Sequence, residues 1–337
     1  MEHNFKNTLF INFGGIGDEI LFLPTLSSFK KSYPNSKITL ALEPRSKCIK
    51  DLSNIIDDIL TVDIKAKGTE KYINIIKFIF EIRKKKFDCV ISSGKSPFIA
   101  IILFLTGIKF RIGYNSKTDF LLTEKVKLNE NQYAGKMYHD LVSPVSKVNY
   151  ENPKIYTDET LELNDLLKNK DYIVIHPGVS KMSIQKNIFK CPNITFWNNL
   201  IEDLLNKNKN VVLLGTKDDK DLAEELLKND KIQKHPNFIN FYNKTKNIME
   251  MAHIMKNASA VICVDSAPLH VAVGTGAKTF AIFGPTNEKK LVPDDINIEI
   301  ITNNTNCRPC LWHKRAYNCE NSECLNINYK IISDKIN

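Results

Sequence analysis

The sequence predicts an α/β protein of two domains, each a doubly wound, mostly parallel sheet, and three observations carry that reading. Strand-length apolar runs alternate with helix-length runs along most of the chain. The segment 260–286, AVICVDSAPLHVAVGTGAKTFAIFGPT, holds a strand, a helix and a second strand in little more than twenty residues. That is the pattern of a right-handed crossover between parallel strands. The 337 residues, 43% hydrophobic and 25% charged, are enough for two ordinary cores.

Taken in order, the first strand is expected over Thr8–Phe13, running into Gly14-Gly15-Ile16-Gly17-Asp18 and a helix to about Lys31. A strand, a glycine turn and a helix point to dinucleotide binding, but no third glycine stands at the required spacing. The acidic residue also lies on the turn itself, where it would repel a pyrophosphate. Strands at Ile38–Leu42, Ile59–Val62 and Phe87–Ser92, with helices at Thr69–Lys85 and Pro97–Leu105, continue the alternation. The stretch Tyr72–Ile82 is apolar on most faces and ends in Arg83-Lys84-Lys85-Lys86. It fits either a buried crossover helix with a solvated basic end or a helix resting on an anionic membrane. Residues 114–165 are polar without steady period, so loops and the interdomain linker are expected there, ending near Lys170. The domains are then 1–165 and 166–337.

The second domain opens with a strand at Tyr172–Ile175 and the turn His176-Pro177-Gly178-Val179-Ser180. Lys190-Cys191-Pro192 precede an amphipathic helix bearing Trp197, Leu200, Ile201, Leu204 and Leu205 on one face. A strand at Asn210–Leu214 leads to the turn Gly215-Thr216-Lys217-Asp218, followed by the helix Leu222–Lys228, Asn243-Lys244-Thr245 and the helix Ile248–Lys256. Strands Ala260–Val264 and Thr279–Phe283 then flank a small-residue helix from about Leu269. In the turn between them, Pro268 suits a first helical turn, Ser266 can cap it, and the unpaired N–H groups would face an anion such as a diphosphate. Asp265 would repel phosphate and suits sugar hydroxyls. The alternative is that Asp265 is only a cap and His270 a satisfied core histidine.

Residues 1–150 carry 23 Lys and Arg against 15 Asp and Glu, nearly all of the chain's net charge of +9. Such a half commonly meets phosphate, nucleic acid or an anionic membrane, although lysine and asparagine richness also follows genome composition. Nucleic acid is disfavoured because the cations are not interleaved with exposed aromatics. The longest apolar run, Phe98–Leu105, is too short to span a bilayer and the N-terminus lacks a signal pattern, so a cytoplasmic protein is expected. Cys307, Cys310, Cys319 and Cys324 form C-x2-C-x8-C-x4-C, the count and paired spacing of a tetrahedral thiolate site for structural zinc or iron. Free thiols are the next reading and disulfides the last. A metal knuckle there would display Arg308, Trp312, His313 and Lys314.

Together these motifs resemble glycosyltransferase family 9, the heptosyltransferases. The resemblance lies in Gly14 to Asp18 as an opening G-x-x-G-D, His176 to Ser180 as H-P-G-A-S, Lys190 before Pro192, Asp265-Ser266 with His270, and Phe283-Gly284-Pro285-Thr286. It implies the GT-B architecture, two Rossmann-like domains facing across a cleft, and inverting transfer of a sugar from a nucleotide diphosphate. By that resemblance Asp18 is the general base and Lys190 meets the donor phosphates, with Lys181 and Lys186 as alternatives. Donor contacts fall on His176, Gly178, Ser180, Gly215, Thr216, Thr245, Asp265, Ser266, Ala267, Pro268, His270, Gly284, Pro285 and Thr286. Acceptor contacts fall on Gly15, Gly17 and Arg111, the last read as part of an R-I-G that follows a strand. Asn12 stands where the family usually carries a basic residue, which leaves acceptor choice open.

The chemistry is consistent with these roles. An acceptor hydroxyl must lose its proton as it attacks the anomeric carbon. A fixed lysine with helix-end N–H groups can stabilise the leaving diphosphate, so no catalytic cofactor is expected. The implied donor is ADP-heptose, and the implied acceptor an anionic glycolipid of lipopolysaccharide core at the inner face of the cytoplasmic membrane. Two rivals remain: a transferase for another nucleotide sugar or a protein acceptor, as in the related autotransporter enzymes, whose C-terminal cysteines look like an iron site, and a non-catalytic nucleotide-sugar-binding protein.

Overall fold

The computed structural model describes residues 3–179, 181–185, 188–311, 319 and 322–336, without the side chains of 181 and 182. The chain divides into two compact units, Met1–Tyr156 and Thr157–Asn337. The contacts thus change hands after Tyr156, whereas the sequence reading put the junction after residue 165.

In the first unit six parallel strands are ordered β3-β2-β1-β4-β5-β6: β1 Asn7–Ile11, β2 Lys37–Leu42, β3 Asp58–Thr61, β4 Cys89–Ser92, β5 Phe110–Tyr114 and β6 Glu124–Val126. In the second they are ordered β12-β11-β10-β7-β8-β9: β7 Tyr172–His176, β8 Asn210–Gly215, β9 Phe238–Tyr242, β10 Ala260–Val264, β11 Thr279–Phe283 and β12 Ile298–Thr302. Each is the order 3-2-1-4-5-6 of the dinucleotide-binding fold, so the direction of winding reverses beside β1 and beside β7. These are two Rossmann-like doubly wound units, the building blocks of the GT-B class.

The central strands read as continuous apolar runs because helices cover both faces. All five residues of β7, β10 and β11 are buried. In the second unit Trp197, Leu200, Ile201, Leu204 and Leu205 of the helix Ile194–Asn206 join Ile173, Val211 and Ile262 in one cluster. The short helix Lys330–Ser333 closes that cluster with Ile332, joined by Ile336 just beyond it, and Lys207 Nζ bonds the Ser333 carbonyl at 2.8 Å. The tail after Cys324, short in sequence, is therefore a plug of the second unit's core. In the first unit the helix Ile16–Ser32 packs Phe22 and Phe29 on Phe10.

The polar region 114–165, expected as loops, contains β6 and a helix at Ala134–His139, whose Tyr138 stacks edge-on against Phe22. No strand or helix lies between Val142 and Tyr172 among the described residues. Among the described residues no helix is long and apolar enough to cross a membrane.

Replacing Ile332, fully buried, with alanine should cost ~2–5 kcal/mol of the second unit's stability. Urea unfolding followed by Trp197 fluorescence measures this, and an unshifted midpoint would show the tail to be dispensable.

Candidate active site

Because each sheet is parallel, all turns after the strands of one unit lie on a single edge, and ligands of such sheets bind where the winding reverses. In the second unit that position lies between β7 and β10, which pair directly. The sequence-predicted donor residues collect along this edge: His176 and Gly178 end β7, Gly215 and Thr216 end β8, Thr245 follows β9, Asp265 to His270 follow β10, and Gly284 to Thr286 follow β11. Ser180, Lys186 and the Lys181 side chain lie outside the described residues.

At the reversal point the two turns are stitched together. The Ser266 hydroxyl donates to the Gly178 carbonyl at 3.2 Å. Ser266 is the N-cap residue of the helix Ala267–Thr275, but its side chain makes no cap bond. The sequence expectation that Ser266 caps the helix is corrected: the hydroxyl is spent on the neighbouring turn, so no side chain from that position covers the helix N-terminus. The partial positive charge there is available to an anion.

Lys190 reaches the same spot. Its ammonium forms an ion pair with Asp265 Oδ2 at 2.7 Å, and both side chains are largely buried, Asp265 at 3% exposure. What holds Lys190 in place is its neighbour. The Cys191 thiol donates to the Pro177 carbonyl at 3.1 Å, and the buried Trp197 indole N–H donates to Cys191 Sγ at 3.3 Å. Burial pushes that thiol up to about 12, so it stays neutral and acts as a hydrogen-bonding spacer. Its position could not be read from the sequence, where Cys191 was one of several single cysteines.

The wall beside β8 is built on Asp219. Its carboxylate accepts from the Thr216 N–H at 2.7 Å and lies 4.0 Å from His176 Nε2. Burial pushes the His176 imidazole below its ordinary range against the pull of Asp219, so the histidine is neutral at physiological pH. A Cβ on Gly178 would fall 1.7 Å from Asp219 Oδ1, so only glycine allows this approach. A cavity of about 360 Å³ opens here, lined by Gly178, Lys190, Asn193, Asp219 and Leu222. Asp219 was not singled out from the sequence, being one of two aspartates on a turn.

In the first unit the reversal lies between β1 and β4. Asp18, half-buried, accepts the Gly15 N–H at 2.8 Å on one oxygen, and the Tyr138 hydroxyl stands 3.5 Å from the other. Gly14 is again obligatory, since a Cβ would lie 2.2 Å from that of Asp18. Beneath the turn Asn12 accepts from Ser93 Oγ and donates to the Asp18 carbonyl. The residue that departs from the family's basic preference thus orients the turn from below. Next to it Glu19 is fully buried and accepts the Gly14 N–H at 3.3 Å. Arg45, following β2, has its guanidinium within 3.8 Å of where a Gly15 Cβ would stand and is paired with Glu43, which also holds Lys65. Sequence reading missed Glu19, Arg45 and Tyr138, whose types and spacing carry no signal.

Arg111 is not brought to this edge. It lies within β5 rather than after a strand, level with Val90 and Leu9. Its guanidinium donates to the carbonyls of Ile108, Lys109 and Leu121 and lies over the Phe104 ring. These bonds make it a staple between chain segments, and the acceptor role expected from R-I-G finds no geometric support.

Cys307, Cys310, Cys319 and Cys324 form no disulfide, and among the described residues no three His, Cys, Asp or Glu are grouped to hold a metal ion. The segment is bound to the Phe283–Thr286 turn. Arg308 donates to the Gly284 carbonyl and pairs with Glu288, the Cys310 N–H donates to the Pro285 carbonyl, and Leu325 packs where a Gly284 Cβ would be. Burial, and then the neighbouring cysteines, push the Cys324 thiol up to about 11. Trp312, His313 and Lys314 lie outside the described residues.

A family model described as glycosyltransferase family 9 (heptosyltransferase) matches residues 75–320. Lipopolysaccharide heptosyltransferase 3 of Escherichia coli is 24% identical over 286 residues, 80% of this chain and 81% of that one. Among solved structures, Escherichia coli ADP-heptose lps heptosyltransferase II superposes with a TM-score of 0.72 at 16% identity, covering 89% of this chain and 91% of its own. Escherichia coli heptosyltransferase WaaC with ADP-2-deoxy-2-fluoro heptose gives 0.67 at 16% identity, covering 87% and 92%.

Burial raises the Glu19 pKa well above its ordinary 4.5, with Asp18 and Glu43 adding to the rise and bonds from Asn12 and Gly14 opposing it. An acid so shifted remains protonated when folded while it ionises when unfolded, so its contribution to stability declines as pH climbs above about 4.5 toward the folded value. Glu19→Gln should remove that decline. Paired denaturation curves from pH 4.5 to 8 should therefore diverge in favour of the variant, and parallel curves would show that Glu19 does not titrate in this way.

Proposed function

Because the chain belongs to glycosyltransferase family 9, the heptosyltransferases, it is a glycosyltransferase, and we propose that it moves a heptose from ADP-heptose to a hydroxyl of lipopolysaccharide core. The observation that carries this reading is the Lys190–Asp265 ion pair beside a helix N-terminus that no Ser266 bond covers, at the reversal point of the second sheet. A diphosphate seated there meets a cation and oriented N–H groups, and competes with Asp265 for Lys190. Asp265, released in part, turns its lone pairs to sugar hydroxyls. The ribose and base lie toward β8, where Thr216 and Asp219 offer polar contacts.

Asp18 is the general base. Its carboxylate is fixed by the Gly15 N–H, so its free lone pairs are directed by the turn. As the acceptor oxygen forms its bond to the anomeric carbon, its proton passes to Asp18. The bond from that carbon to the diphosphate oxygen breaks, and the negative charge leaving with ADP falls to Lys190 and the helix N-terminus. Attack opposite the leaving group inverts the anomeric centre. Arg45 and Lys65, both at the carboxyl edge of the first unit, are suited to an acidic or phosphorylated acceptor. With a lipid-borne acceptor, the protein works as a peripheral one at the inner face of the cytoplasmic membrane.

Turnover with ADP-heptose and a core acceptor, read as ADP release, tests the assignment. Asp18→Asn should lower kcat by roughly 10²–10⁴ and leave ADP binding by calorimetry intact. Lys190→Met should lower kcat by about 10²–10³ and weaken ADP binding as well. A protein that only senses the nucleotide sugar would show no turnover to lose. An enzyme for a different sugar would turn over UDP-, GDP- or CMP-sugars in preference.

A further inference from the structure

We propose that the first unit docks on an anionic lipid surface through one face formed by the helices Glu70–Lys85 and Pro97–Leu105 and the turn Asp119–Leu121. This deepens the reading of a lipid-borne acceptor by naming the surface that brings the enzyme to it.

The helix Glu70–Lys85 carries two apolar stripes. Ile75, Phe78 and Ile82 face the sheet and are buried. Tyr72, Ile76 and Phe80, four residues apart, stack on a neighbouring face with Ile73 beside them. Tyr72 is 59% exposed and Phe80 58%. Isolated apolar side chains on a surface are ordinary, but a continuous row of them on a helix already anchored by a separate stripe is not. The helix Pro97–Leu105 repeats the arrangement, burying Ala100, Ile102 and Leu103 while leaving Phe98, Phe104 and Leu105 outside. Phe120, on the adjoining turn, is 73% exposed.

These outer rows belong to one surface. The crossovers from β3 to β4 and from β4 to β5 advance in the same direction, so right-handedness puts both helices on the same side of the sheet. Phe78, Ile82, Ala100 and Leu103 accordingly share one buried cluster. Arg83 Nε donates to the Leu105 carbonyl at 2.9 Å, joining the helix ends. Thr118 bonds the Pro97 carbonyl and Arg111 bonds that of Leu121, tying the turn alongside.

Charge decides the occupant. Lys77, Lys84 and Lys86 are exposed beside the outer row, at the end of which Arg83 to Lys86 run consecutively. Lys85 is engaged with Asp58, and Glu70 and Glu81 are the acidic residues on the helix. A second copy meeting this face about a two-fold axis would oppose the same basic run on each subunit. An anionic bilayer instead takes the aromatic and aliphatic row into its headgroup boundary and the lysines among its phosphates.

The experiment is vesicle flotation of the full chain with phosphatidylcholine alone or mixed with phosphatidylglycerol, at low and high salt. The wild type should float with the anionic vesicles and less so at high salt. Joint Tyr72→Gln, Ile76→Gln and Phe80→Gln should lower partitioning roughly tenfold or more at unchanged charge. Joint Lys77→Gln, Lys84→Gln and Lys86→Gln should lower it on the order of a hundredfold on anionic vesicles. Both variants should keep the wild-type melting curve and transfer to a water-soluble, deacylated acceptor. Wild-type flotation by the apolar variant, or equal binding of neutral and anionic vesicles, would overturn the proposal. So would a solution dimer that the apolar variant makes monomeric without changing flotation. Failure of ADP-heptose as donor with flotation intact would count against the proposed reaction alone.

Discussion

Parallel pairing around two strands buried on both faces, β1 and β7, is the constraint on which the remaining structure depends. Parallel neighbours force every return through a crossover, and crossovers of one hand place the helices on both faces. The central strands must then be apolar along their whole length, as Ala260–Val264 and Thr279–Phe283 are. Polar residues are expelled to the ends. Since all carboxyl ends share an edge, one topological rule gathers residues as distant in sequence as His176, Asp265 and Gly284.

At the two carboxyl edges, one in each unit, the chain manages its carboxylates in three ways, each set by local geometry. Asp18 is held by a backbone N–H and kept partly open to solvent. Asp265 is buried and balanced by Lys190. Glu19 is fully buried, and that burial, with two other acids near it, pushes its pKa well above the ordinary range. The first suits proton abstraction, the second suits exchange of an ion-pair partner for a phosphate, and the third stiffens the turn that carries the first. Gly14 and Gly178 make the first unit's turn and the second unit's wall possible by surrendering the volume of a Cβ. Cys191 transmits the order of the Trp197 helix to Lys190, so a core residue of the second unit positions a cation at the proposed donor phosphates.

The outer row on Glu70–Lys85 belongs to a different order of reasoning. Periodicity alone marked that helix as apolar on most faces and compatible with either burial or a membrane. Burial holds on one stripe, and the docking proposed above would use the other. Sheet packing uses Ile75, Phe78 and Ile82, and the residues left over are themselves apolar.

Elements bounded by clear punctuation were legible from the chain. Ile248–Lys256 begins at an Asn cap, Pro97–Leu105 at Ser-Pro, and Thr279–Phe283 stops at Gly-Pro. Of the edge strands β3 was read from the chain, but β6 and β9 were not: β6 has three residues, and β9 alternates buried and half-buried positions in a polar neighbourhood. Arg111 was read from its motif, but its guanidinium is satisfied by the carbonyls of Ile108, Lys109 and Leu121, close in sequence, and no motif shows which way the side chain folds back. By itself the sequence determined the alternation of strands and helices, the two-unit plan and the order of the edge motifs, since these follow from local period, turn chemistry and chain length. Only the tertiary structure decided that Lys190 meets Asp265, that Ser266 leaves its helix to bond Gly178, and that Glu19 is buried beneath Asp18. Those outcomes depend on which segments share a sheet edge and how closely their backbones approach, which no local pattern encodes.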